Sequence, residues 1–72
     1  MAINELGIRG NLRLAQAEGR RFPGLLVQGD TLALLARDLR EEAPDSYVLR
    51  TVQDWVAAYE EMMADANLEL PY

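Results

Sequence analysis

Three kinds of side chain in this 72-residue sequence could do chemistry: hydroxyls, carboxylates and arginines. Cysteine, histidine and lysine are absent, so the hydroxyls of Thr31, Ser46 and Thr51 have no evident general base to activate them. Ser46 reads more simply as a helix cap. Glu61 and Asp65 are i, i+4 neighbours, and with Asp54 two turns back they could hold a hard cation. No glycine-bent cage of oxygen ligands accompanies them, so a solvated acidic face explains them better. Zinc and most transition-metal sites lack ligands altogether. Gly29-Asp30 at a helix start could receive a phosphate, but the Asp30 carboxylate would repel it. Arg20 and Arg21 could grip a carboxylate or phosphate; at a hairpin tip they serve equally as solvated charges or partners for an acidic helix. These readings exclude catalysis, a cofactor and a metal, and leave recognition by shape and charge.

All seven cations are arginines, which codon bias explains most simply, although the guanidinium fork suits carboxylates as an ammonium does not. The net charge of −5 is unevenly spread. Residues 1–40 balance at +2, and residues 41–72 at −7. The acidic half repels phosphate backbones, so nucleic-acid binding through it is not expected. No signal sequence is visible at the start, and no apolar run approaches the roughly 18 residues of a membrane span. A cytoplasmic location is therefore expected. Half of the residues are hydrophobic, enough for a folded domain, though a chain this short commonly gains burial from an oligomer.

The elements that must position these side chains follow from periodicity. Ile8, Leu12 and Leu14 alternate with Arg9, Asn11 and Arg13, which suggests a strand over Ile8–Leu14 that Ala15–Ala17 could extend, with Gly10 an odd member of its apolar side. Glu18-Gly19-Arg20 is the natural turn, and Phe22–Gln28 the returning strand, with Leu25 and Val27 on one face. Asp30 is the candidate cap of a helix over about 31–43, whose stripe is Leu32, Leu35, Ala36 and Leu39. Pro44 ends it. Asp45 or Ser46 opens a second helix reaching about Asn67, a plausible C-terminal cap. Its apolar face carries Val48, Val52, Trp55, Val56, Tyr59, Met62 and Met63. The tail, 68–72, is apolar enough to dock.

The expected fold is α+β in a single domain: a β-hairpin at about 8–28 packed on two antiparallel helices. Core candidates are Leu12, Leu14, Phe22, Leu25, Val27, Leu32, Leu35, Leu39, Val52, Trp55, Val56, Tyr59 and Met62. Trp55, Tyr59, Met62 and Met63 could equally form an oligomer face, most simply that of a homodimer.

The stretch "GRRFPGLLVQGDTL", together with the closing "LPY", resembles a family of short bacterial proteins of unknown function. More distantly, "FPGLLVQGDTL" is similar to the strand–turn–helix stretch of HicB-type antitoxins, in which a small sheet packs on helices and masks a toxic partner. The resemblance implies a bacterial, partner-binding setting. The function expected is a small acidic protein-binding module, an immunity- or antitoxin-like inhibitor. It would present Asp54, Glu60, Glu61 and Asp65, with Arg20 and Arg21 as further contacts, to a partner such as a basic toxin. The alternative is a homo-oligomeric accessory protein with no inhibitory role.

Overall fold

The computed structural model describes residues 3–72. Three strands, β1 (Ile3–Arg9), β2 (Leu12–Ala17) and β3 (Gly24–Leu26), precede two helices, α1 (Gly29–Glu42) and α2 (Tyr47–Asp65). The sheet is antiparallel throughout, in the order β1-β2-β3. This is the α+β arrangement expected, with one strand more.

The extra strand arises because the segment Ile8–Leu14 is not one strand. Gly10, at φ +56°, opens the two-residue turn Gly10-Asn11 between the paired residues Arg9 and Leu12. Positive φ at this first turn position is the conformation glycine supplies in tight hairpins. Pairing puts Arg9 on the same face as Leu12, so the alternation changes parity across the turn. Ile8 pairs with Arg13 and lies on the face opposite Leu12 and Leu14, against the sequence expectation. A bulge at Leu6, between Glu5 and Gly7, breaks the alternation again inside β1.

The second turn falls where expected. Gly19 has φ +81°, and the Arg20 N–H donates to the Ala17 carbonyl at 3.2 Å. The Gln16 side-chain amide reaches over the turn to the Arg20 carbonyl at 2.6 Å. One face of the sheet carries Leu12, Leu14 and Leu25; the other carries Ile3, Ile8, Ala15, Ala17 and Leu26. The Arg13–Glu5 ion pair, 2.9 Å, lies on the second face.

Helix α1 starts earlier than expected. Its N-cap is Gln28, whose side chain makes no capping bond, and Asp30 sits inside the first turn. There its Oδ1 accepts from the Thr31 N–H at 2.9 Å, and its charge still opposes the helix dipole. Gly29 decides this register. A Cβ at that position would land in the ring of Tyr59 on α2, so only glycine lets the first turn of α1 approach that closely. The same approach, of the start of α1 to the latter half of α2, shows that the helices run antiparallel.

Ala43 closes α1 by donating to the Leu39 carbonyl at 2.8 Å. Ser46 then caps α2, its Oγ accepting from the Leu49 N–H at 3.1 Å. At the far end Asn67 takes a left-handed conformation, φ 57°. Its N–H donates to Ala64, and that of Leu68 to Met63, at 3.0 and 2.9 Å. These are the paired bonds of a Schellman motif, which turns the chain back along the helices.

Among the described residues, the buried apolar side chains are Ala36, Leu49 and Val52, all at the helix–helix contact. Val27, Leu32, Leu39, Val56 and Tyr59 are half-buried around them. The other expected core residues are exposed: Leu12, Leu14, Phe22 and Leu25 on or beside the sheet, and Leu35, Trp55 and Met62 on the helices. The reason lies in how the layers are joined. Close approaches between elements are β1 with β2, β2 with β3, and α1 with α2. The sheet meets the helix pair at the β3–α1 junction, where Leu26 and Val27 line a hollow with Tyr59 and Pro71.

Candidate functional site

Helix α2 carries two adjacent longitudinal rows. Asp54, Glu61 and Asp65 recur at seven- and four-residue steps and so share one side; all three are exposed. The neighbouring row is apolar: Val48, Trp55 and Met62, spaced by sevens and 48%, 56% and 63% exposed. Glu60 does not join the acidic row. It is rotated by about 100° from Glu61, is half-buried, and accepts from the Tyr72 hydroxyl at 2.8 Å. Tyr59 packs against Gly29 of α1, and both Tyr59 and Met63 are half-buried. The four residues expected to act together as core or oligomer face thus divide, Trp55 and Met62 outward, Tyr59 and Met63 inward.

Arg20 and Arg21 lie elsewhere, at the mouth of a groove on the sheet. Ile3, Ala15, Ala17 and Leu26 form its floor, and the Gly19–Leu25 segment its wall, around a volume of about 650 Å³. Phe22, 72% exposed, stands at this rim with the Arg21 guanidinium 5.2 Å from its ring centroid. Phe22 therefore lies outside the core expected from the sequence, and Ile3 belongs to the part of β1 before Ile8, where the Leu6 bulge breaks the alternation. Two of the three candidate hydroxyls are committed to the backbone: Ser46 as the cap, and Thr51 Oγ1 donating to the Tyr47 carbonyl at 3.1 Å. Among the described residues no three His, Cys, Asp or Glu side chains gather closely enough to hold a metal ion, and no helix is long and apolar enough to cross a membrane.

The model of a family of unknown function, DUF6959, matches residues 6–46, more than half of the sequence. The chain belongs to that family. No curated protein and no solved structure matches it. The DUF6959 match takes in most of β1, then β2, β3 and α1, and stops at the Ser46 cap. It therefore includes the arginine-rimmed groove apart from Ile3, and Gly29 without its contact Tyr59, while the acidic and apolar rows of α2 lie beyond it.

In this DUF6959 chain the returning tail occupies the other side of the helix pair. Tyr72 lies in a cleft with Arg37 and Arg40 of α1 and Val56 and Glu60 of α2. Its phenol is pushed up to about 12 by desolvation, then by the hydrogen bond and negative charge of Glu60 and by Tyr59. The neutral phenol is the form the fold favours. The latch is accordingly complete below about pH 10, the ordinary tyrosine value, and is lost as pH rises from there through about 12. In an ultraviolet phenolate titration one tyrosine will ionise late, and Glu60→Gln will return it towards the ordinary value. A late-ionising phenol that persists in Tyr72→Phe would contradict the latch.

Proposed function

We propose that this protein is a small acidic protein-binding module of immunity or antitoxin type, cytoplasmic and without catalytic activity, which acts by covering a partner protein. The observation that carries the reading is the pair of rows on α2. An exposed apolar strip, Val48–Trp55–Met62, bordered by the carboxylates of Asp54, Glu61 and Asp65, has the apolar-centre, polar-rim composition of a recognition surface. A basic partner surface, such as that of a toxin acting on nucleic acid, would be steered to it by charge. Glu60 is left out of the contact set because Tyr72 holds it.

The test compares the native chain with an Asp54→Asn/Glu61→Gln/Asp65→Asn variant. Both are used to capture partners from the native cell lysate, and the captured protein's activity is then assayed. A basic protein that only the native chain retains and inhibits supports the reading. Equal retention by the variant, or retention without inhibition, overturns it. A second reading, a homo-oligomeric accessory protein, is favoured by the exposure of Trp55 and Met62. It predicts that neither the native chain nor the variant inhibits a captured protein, and that Trp55→Ala dissociates or unfolds the protein.

A further inference from the structure

The chain exposes 5937 Å², whereas a compact monomer of its 8.1 kDa would expose about 4,500 Å². Its radius of gyration is 13.8 Å, against about 11 Å for a compact domain of this length. The excess of roughly 1,400 Å² exceeds the ~800 Å² that each partner contributes to a standard interface. Much of it lies in two places that do not meet within one chain: the sheet, with Ile3, Phe22 and Leu26 at least 60% exposed, and the outer strip of α2.

The two places also differ in charge. Residues 3–28 carry four arginines against two glutamates, and residues 29–72 carry three arginines against ten carboxylates. Pairing sheet with sheet, or α2 with α2, would bring like charges together. Pairing the sheet of one copy with α2 of another brings opposite charges together and joins apolar centre to apolar centre. A two-fold axis makes that contact twice over, because each copy both gives and receives it.

We infer that the free protein is a reciprocal two-fold dimer, in which the groove of each sheet takes the Val48–Trp55–Met62 strip of the other copy and the Arg20–Arg21 rim faces the Asp54–Glu61–Asp65 row. The β-on-α layer packing that the sequence calls for is then completed between chains. The dimer covers the α2 rows, so on the inhibitor reading a partner would have to displace the second copy; the assembly itself goes beyond that reading and stands without it.

Size-exclusion chromatography with light scattering will give twice the 8.1 kDa chain mass. An Arg20→Glu/Arg21→Glu chain and a Glu61→Arg/Asp65→Arg chain will each dimerise at least ~10-fold more weakly alone. Mixed together they will restore native affinity, since every contact in the mixed dimer again pairs opposite charges. A native chain that stays monomeric at ~100 µM, weaker than standard interfaces hold, overturns the inference. So does a dimer that both charge variants leave intact, or a mixture that fails to restore it. Circular dichroism checks that each variant folds. Should one not fold, Arg20→Gln/Arg21→Gln serves instead: native dissociation will rise with salt, that of the variant will not, and equal salt dependence overturns the proposal.

Discussion

Gly29→Ala will destabilise the protein by about 2 kcal/mol, within the range for forcing an extra carbon into a packed site. On helix propensity alone the substitution should stabilise, by up to about 1 kcal/mol. The sign is decided by Tyr59, whose ring occupies the space the new Cβ would need. To make room, the ring must leave the first turn of α1 or the helices must part at that end. Gly29 is buried, so neither movement is absorbed by solvent. For a domain of this size the loss corresponds to a fall in melting temperature of roughly 10 °C, readable by circular dichroism. Tyr59→Ala in the Gly29→Ala background will recover part of it, because the two positions share one contact and their effects will not add. A rise in melting temperature for Gly29→Ala alone would show that the close approach is absent.

Leu49→Ala will cost about 2–5 kcal/mol, as for other buried leucines. Against a total of about 5 kcal/mol, typical at the small end of domain size, this removes much of the margin. Leu49 is one of three buried apolar side chains among the described residues, and the larger of the other two is Val52. Its neighbours therefore have little apolar volume with which to fill the gap. The backbone bond from its N–H to Ser46 Oγ survives the substitution, so the loss measures packing and not the cap. Urea denaturation at a fixed protein concentration reads the effect. Leu68→Ala, at a 58% exposed position, is the control and should stay within about 0.5 kcal/mol of native. Equal midpoints for the two variants would remove Leu49 from the core.

The helices were the legible part of the sequence because their signals are local. Leu32, Ala36 and Leu39 turn inward as their spacing requires, Pro44 follows the end of α1, and Ser46 caps α2. Asn67 takes the left-handed position assigned to it. The start of α1 was placed too late because Gly29 answers to Tyr59, thirty residues on, and no local pattern carries that contact. Strand β1 was hidden by two interruptions of its alternation, the Leu6 bulge and the Gly10-Asn11 turn. Alternation identified apolar residues on the sheet correctly, but a period of two says nothing about what covers them. Phe22, Leu14 and Leu25 have the sequence pattern of core residues, yet all three are exposed. Within the candidate site the row Asp54–Glu61–Asp65 was readable from helical spacing. Glu60 was grouped with it by proximity in sequence, although one residue's rotation puts it on the side facing the tail.

The offset at Leu6 bears on solubility. A flat, regular outer strand is a template to which further strands can add without limit. In β1 two residues oppose one at Leu6 and Gly7, so the outer edge is bent and out of step with any straight newcomer. On the opposite margin β3 is three residues long, directly after Pro23, whose nitrogen has no hydrogen to donate. Both margins therefore resist the lateral addition of further strands, although the sheet shows many leucines to water.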